Sequence, residues 1–263
     1  MSDHKARKRF GQNFLHDPQI IQRIIDAANP KPDDHFIEIG PGQGAITQPL
    51  AKHSGKLDVI EIDRDLAAAL QKHEWSDRFT LHNEDALQFS FETLETNKQS
   101  LRLVGNLPYN ISTPLLFHIL ESYELFKDIH VMLQKEVVQR MTASPGNKQY
   151  GRLTVALAAR CHVESLFIIK PGAFNPAPKV DSAFARLVPL TEPLITAEES
   201  PAFDAVIRHA FGQRRKQLAN ALSPIMDSTK ISSAGIDPKL RAENLKVEEF
   251  VELARNLDPD NLP

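Results

Sequence analysis

Cysteine is nearly absent: one residue, Cys161, stands among 263. A lone cysteine cannot close an intramolecular disulfide, and no CxxC pair or His/Cys cluster suggests structural zinc, so no metal is expected and a reducing compartment is the simplest setting. Tryptophan is represented once and tyrosine three times. Long apolar runs are missing, which excludes a membrane-spanning helix. The opening MSDHKARKRFGQNFLHD is charged and lacks the apolar core of a secretory signal, so a cytoplasmic location is expected. Excess charge of one sign is missing too: 31 Lys and Arg face 34 Asp and Glu, a net charge of −3. With 41% hydrophobic and 25% charged residues the composition is that of an ordinary globular chain, long enough for one large domain and a small appendage.

The local charge is less even. No acidic residue occurs between Asp204 and Asp227, where Arg208, Arg214, Arg215 and Lys216 fall. At the start, Lys5, Arg7, Lys8 and Arg9 oppose only Asp3 within the first sixteen positions. Each cluster reads either as a solvated face or tail, or as a footprint for nucleic acid.

Asp17-Pro18 is an N-cap followed by an N1 proline, and Ile20, Ile21, Ile24, Ile25 and Ala28 recur at helical spacing, so a helix is expected to open the fold. Short apolar runs then alternate with helical stretches. The runs are His35–Ile39, Leu57–Ile62, Phe79–His82, Leu101–Val104 and His130–Leu133; the helical stretches are Ala45–Lys52, Arg64–His73, Thr113–Ser122 and Lys135–Thr142. Such alternation predicts βαβ units and an α/β fold with a mostly parallel sheet. Ser165–Ile169 and Ser182–Leu187 lack a helix between them, which predicts an antiparallel pair at one sheet edge. Proline and Glu/Thr enrichment over Pro189–Pro201 marks a boundary, and the helical patterns beyond it predict a small all-α domain. The expected division is a first domain at 1–190, with a basic arm at 1–16, and a second at 191–263.

The first strand runs into Glu38-Ile39-Gly40-Pro41-Gly42-Gln43-Gly44, and the next ends in Glu61-Ile62-Asp63. Glycines between a strand and a helix admit a ligand close to the backbone, and an acid at the tip of the next strand can accept from ribose hydroxyls. Both NAD and S-adenosylmethionine fit that pattern. Pro41 removes an N–H that a pyrophosphate would use, while Asp85 after the third strand suits an adenine amino group. After the fourth strand, Asn106-Leu107-Pro108-Tyr109 supplies a side-chain amide, a carbonyl held extended by proline, and an aromatic ring. The Asn106 oxygen and the Leu107 carbonyl can stabilise charge growing on an attacking exocyclic amine, and Tyr109 can stack on an unstacked base. No general base is needed, because the amine proton becomes acidic only after transfer. His118 and His130 read as satisfied core histidines, and Cys161 as a small buried side chain.

With these motifs in view, the chain resembles the ribosomal RNA adenine N6,N6-dimethyltransferases that modify adjacent adenosines near the 3′ end of small-subunit RNA. The resemblance runs nearly end to end, through Arg7–Leu15, Glu38–Gly42, Glu61–Asp63, Asn106–Ser112, Leu133–Val137, Tyr150–Leu153, Pro178–Ser182, Phe211–Lys216 and Arg241–Asn244. It implies a Rossmann-like class I methyltransferase fold with a helical C-terminal domain, and S-adenosylmethionine as cofactor. It implies that Asn13 and Leu15 contact that cofactor, Gly40 its methionine part, Glu61 the ribose and Asp85 the adenine. Asn106 is implied to serve both cofactor and target amine, with Phe174 closing the target base opposite Tyr109. In Phe174-Asn175-Pro176-Ala177-Pro178 the residues Asn175 and Ala177 replace the usual threonine and proline. Arg7, Lys8, Arg9, Arg214, Arg215 and Lys216 are implied to touch RNA within a 30S or pre-30S subunit. A monomer is expected, since nothing reads as an obligate dimer seam. Two alternatives stay open: the related large-subunit methyltransferases that confer antibiotic resistance, and an assembly factor that acts mainly by binding. A dehydrogenase is the more distant third.

Overall fold

The computed structural model describes residues 12–258. The basic positions Arg7, Lys8 and Arg9 lie outside the described residues. The first elements are β1 (Phe14–Leu15), α1 (Pro18–Ala28), β2 (His35–Ile39), α2 (Thr47–His53), β3 (Lys56–Ile60), α3 (Arg64–Leu70), β4 (Thr80–His82), β5 (Leu101–Asn106) and α4 (Ser112–Glu121). There follow β6 (Phe126–Gln134), α5 (Lys135–Met141), α6 (Arg152–Ala158), β7 (Cys161–Ile169), β8 (Phe174–Asn175) and β9 (Ser182–Pro189). The last are α7 (Ser200–Gly212), α8 (Leu218–Ala221), α9 (Ser228–Ser233) and α10 (Val247–Arg255).

α1 starts where Asp17 accepts from the backbone N–H groups of Gln19 and Ile20, and it stops at Asn29, whose φ is 45°. Its buried stripe is Ile24, Ile25 and Ala28. Phe36 to Ile39 of β2 and Leu101 to Gly105 of β5 are buried without alternation, as strands covered on both faces must be.

The main sheet has seven strands in the order β4-β3-β2-β5-β6-β9-β7. β2 is parallel to both β3 and β5, β4 to β3, and β6 to β5, while β9 runs antiparallel to β6. The order reverses between β2 and β5, and a crevice opens at the carboxyl ends of parallel strands where that happens. The two strands without a helix between them do form the sheet edge, with β9 inserted between β6 and β7. A second, two-stranded pairing joins β1 to β8, with Phe14 opposite Asn175 and Leu15 opposite Phe174.

The chain divides into two compact units, one of residues 1–138 and 164–189, the other of 139–163 and 190–263. The stretch 139–163, expected in the first domain, groups with the helical part instead. Tyr150 donates its hydroxyl to the Leu245 carbonyl at 2.9 Å, and its ring meets Phe211 edge-on at 6.0 Å. Arg160 reaches both carboxylate oxygens of Asp204 at 3.2 Å. α7 and α10 close this unit with Phe211 against Phe250, ring centroids 5.4 Å apart.

His130 lies in β6, fully buried and stacked on Phe184. Neither of its ring nitrogens has a hydrogen-bond partner, so it is a core histidine but not a satisfied one, and burial pulls it down to about 4. His118 donates from Nε2 to the Phe89 carbonyl at 2.8 Å. Cys161 is buried and free, its thiol pushed up to about 12 by desolvation. No helix among the described residues is long and apolar enough to cross a membrane, and none of their side chains group as a metal site.

Candidate active site

Glycines govern the turn after β2. Gly40 has φ +68° and Gly42 φ +57°, in the left-handed region that side chains disfavour. A Cβ on Gly42 would also stand 2.9 Å from the Phe14 ring, so β1 approaches this loop closely. Gly40 caps the sheet by donating to the Ile60 carbonyl at 3.0 Å.

This turn borders a cavity of about 230 Å³ at the carboxyl ends of β2, β3 and β5. The loop leaving β3 brings Glu61 to it, the loop after β4 brings Asp85, and Asn106 through Tyr109 form the side next to β5. Asn13 joins them from just before β1. Distant segments therefore converge as the sequence led one to expect for Asn13, Gly40, Glu61, Asp85, Asn106, Leu107, Pro108 and Tyr109. Ile39, Ile60, Leu66 and Leu115 supply apolar wall.

Glu61 is 5% exposed, yet its carboxylate accepts from the backbone N–H of Asp63 at 2.9 Å and of Gly42 at 3.4 Å. Desolvation outweighs those bonds and raises Glu61 to about 7, with the Asp63 charge adding to the rise. Asp63 is itself engaged by Gln12 Nε2 at 3.2 Å. Asp85 Oδ1 accepts from Leu87 N at 3.0 Å and so turns the loop that it ends. Asn106 donates from Nδ2 to the Asn13 carbonyl at 2.9 Å, which fixes the plane of its amide. Tyr109 shares a 2.5 Å hydrogen bond with the hydroxyl of Ser182, and its backbone carbonyl accepts from Ser112 at 3.2 Å. Burial raises the Tyr109 phenol, so the ring stays neutral.

These residues fit S-adenosylmethionine. A two-carboxylate cavity offers acceptors to ribose hydroxyls and an adenine amine, the left-handed glycine turn leaves space at the backbone, and the apolar walls suit the remainder. They suit a dinucleotide less well, because Pro41 withdraws from the glycine turn a backbone N–H that a pyrophosphate would use.

Three of the expected residues lie away from the main cavity or are otherwise engaged. Leu15 is 6% exposed and faces the core and a small side pocket rather than the main cavity. Phe174 is 3% exposed and packs in the same core cluster as Leu15, its partner across the β1–β8 pairing. Its ring is buried in that core and does not line the main cavity. Arg214 is committed internally: it donates to the carbonyls of Lys148 and, at 2.9 Å, Tyr150, and pairs with Glu243 at 3.4 Å. Arg215 and Lys216 are exposed.

Sequence reasoning gave no role to two residues here. Glu38 is 2% exposed beside the glycine turn, and burial, with a smaller push from Glu61, raises it to about 8. An acid inside an otherwise apolar strand was its only signal. Ser182 is the other, fully buried beneath Tyr109.

A family model described as ribosomal RNA adenine dimethylase matches residues 3–258. Ribosomal RNA small subunit methyltransferase A of Pseudomonas putida is 52% identical over 256 residues, covering 97% of this chain and 96% of the relative. The protein of that description from Aromatoleum aromaticum is 53% identical over 251 residues, covering 95% and 94%. Among solved structures, a dimethyladenosine transferase from Plasmodium falciparum superposes with a TM-score of 0.75 at 27% identity, covering 91% of this chain and 95% of the other. The 23S rRNA methyltransferase ErmE does so with 0.69 at 26% identity, covering 93% and 99%. On the match along nearly its whole length, the chain belongs to the ribosomal RNA adenine dimethylase family.

Proposed function

We propose that this protein transfers methyl groups from S-adenosylmethionine to the N6 atoms of two adjacent adenosines in a loop near the 3′ end of small-subunit ribosomal RNA, two methyls to each. The chain is an S-adenosylmethionine-dependent adenine dimethylase of small-subunit ribosomal RNA. The finer reading of adjacent loop adenosines is supported above all by one observation: the Asn106 amide, oriented by the Asn13 carbonyl, and the Tyr109 ring border the same cavity as Glu61 and Asp85.

S-adenosylmethionine supplies an electrophilic methyl group on a sulfonium. Glu61 accepts from its ribose and Asp85 from its adenine amine, with the Gly40 turn against the methionine part. An adenine amine is a weak nucleophile because its lone pair is delocalised. Asn106 Oδ1 and the Leu107 carbonyl accept from that amine and stabilise the positive charge that it gains, a contribution typically worth about 10²–10³ in rate. Pro108 holds the Leu107 carbonyl extended, and Tyr109 covers one face of the base. A loop adenine is the natural target, because an unstacked base enters such a pocket at small cost.

The helical unit is the RNA-binding part, with Arg215 and Lys216 on phosphate and the basic N-terminal positions Arg7, Lys8 and Arg9 assisting. The substrate is the RNA within a 30S or pre-30S subunit, met by a monomer in the cytoplasm. The large-subunit alternative is disfavoured by the small-subunit descriptions of the relatives at about half identity. The test is transfer of labelled methyl to unmethylated small subunits, large subunits and naked RNA in parallel, with the product mapped. Dimethyladenosine at two adjacent small-subunit positions is expected. Label confined to large-subunit RNA, or monomethylated product at scattered sites, would overturn the reading.

A further inference from the structure

Ser182 sits under the aromatic residue of the active-site loop. It is fully buried at the first position of β9, in register with Gln134 of β6, while the preceding Asp181 is held by Lys135 N–H donating to its carbonyl at 3.0 Å. β5 ends at Asn106, opposite Met132 of β6, so the loop that carries Tyr109 leaves the sheet beside these same strands. There the two hydroxyls meet at 2.5 Å. The backbone of Tyr109 is held independently, by Ser112 on its carbonyl at 3.2 Å and by the turn that the Ile111 N–H closes on the Pro108 carbonyl at 3.1 Å. Of the torsions that aim the ring, those of the side chain alone remain, and Ser182 is the only described residue that the phenol contacts by a hydrogen bond.

We infer that Ser182 is a positioning residue for methyl transfer: its hydroxyl anchors the Tyr109 phenol so that the ring presents a fixed face to the target adenine. The inference rests on the adenine-methylating reading above and assigns a function to the Pro178–Ser182 segment, which otherwise only marks the family. A base that stacks on a swinging ring spends less time in the geometry of attack, and small misplacements at the reacting centre are costly in rate. The anchor acts through Tyr109 and touches neither the cofactor's carboxylate partners nor the amide of Asn106.

A double-mutant cycle on small subunits tests this, with Ser182→Ala, Tyr109→Phe and the pair, read as kcat, KM for cofactor and unfolding midpoint. Ser182→Ala is expected to lower kcat roughly tenfold with the cofactor KM unchanged, the size expected when one neutral hydrogen bond is lost. Tyr109→Phe should match that loss, and in the Tyr109→Phe background Ser182→Ala should cost nothing more. Equal losses from Ser182→Ala in both backgrounds, or none in the wild type, would overturn the anchoring role. Should the alanine variant be unstable, Ser182→Cys keeps the volume, weakens the bond and repeats the cycle. Absence of transfer by the wild type would instead overturn the adenine reading, and the anchor with it.

Discussion

Asn106 donates its side-chain amide to the backbone carbonyl of Asn13 at 2.9 Å, across 93 residues of sequence. That bond uses one of the two amide N–H groups and fixes the amide, whose Oδ1 is the acceptor that the side chain offers to the cavity. Replacing Asn106 by Ala should therefore lower methyl transfer by about 10²–10³ while changing cofactor affinity far less. Single-turnover rates beside calorimetric binding separate the two. An unchanged rate, or a loss confined to binding, would remove the amide from the chemistry.

Glu61 gives cofactor binding a pH dependence. Its carboxyl is raised to about 7 in the free protein, so below that value it carries a proton that binding through the ionised form must displace. Affinity should then fall about tenfold per pH unit below 7 and level off above it. Glu61→Gln should bind more weakly at pH 8 and lose that one-proton slope. A variant whose Kd tracked pH as the wild type's does would place the titration elsewhere.

Arg102 is a structural counterpart, 6% exposed in β5 and bonded to Asp34 at 2.6 Å and to both oxygens of Asp128 at 2.8 Å. It also donates to the Ala28 carbonyl at the end of α1. Arg102→Leu takes from two buried carboxylates their closest cation, leaving Asp34 only Lys127 at 3.5 Å and Asp128 only Arg186 at 3.6 Å, and should cost about 3–5 kcal/mol at pH 7 in urea unfolding. Although desolvation pushes the other way, the Arg102 bond holds the Asp34 carboxyl below its ordinary 3.8. The stabilisation is thus complete above about pH 4 and is lost as pH falls through the folded value. The gap between wild type and variant should shrink on acidification; a constant gap would show that the ion pairs are not its source.

The three basic residues before α8 should separate into two kinds. Arg215→Ala with Lys216→Ala should weaken subunit binding and flatten its dependence on log salt by about 1–2, as expected for two lost phosphate contacts, with the unfolding midpoint unchanged. Arg214→Ala should lower that midpoint, because the side chain ties Lys148 and Tyr150 to this segment. Filter binding across a salt series and thermal unfolding distinguish them, and identical behaviour of all three would refute the division.

The alternating pattern was legible because each βαβ unit carries its own periodicity: His35–Ile39 is a strand to the residue, and Asp17-Pro18 starts α1 as a cap does. Convergence on the cavity was legible as well, since the carboxyl edge of a parallel sheet collects whatever follows its strands. What escaped were contacts without a local signal. A two-residue pairing such as β1–β8 has no period to read, and it is what brings Leu15 and Phe174 together in the core. Arg102 drew no reading within its apolar strand, because its partners Asp34 and Asp128 come from elsewhere in the chain. Arg214 and its neighbours are chemically alike along the chain, and only folding tells a clasp from a free cation.

The helical unit is assembled from 139–163 and 190–263, two pieces separated in the chain by strands of the other unit. A recombinant fragment that ends near residue 190 therefore does not isolate the methyltransferase part. It would carry Tyr150 without Leu245 and Phe211, and Arg160 without Asp204, exposing apolar and ionic surface that only the missing piece covers. Likewise, exchanging specificity modules among relatives by a single crossover at that point would mate one half of a helical core with a foreign half. A chimera that preserves the core must exchange both segments together.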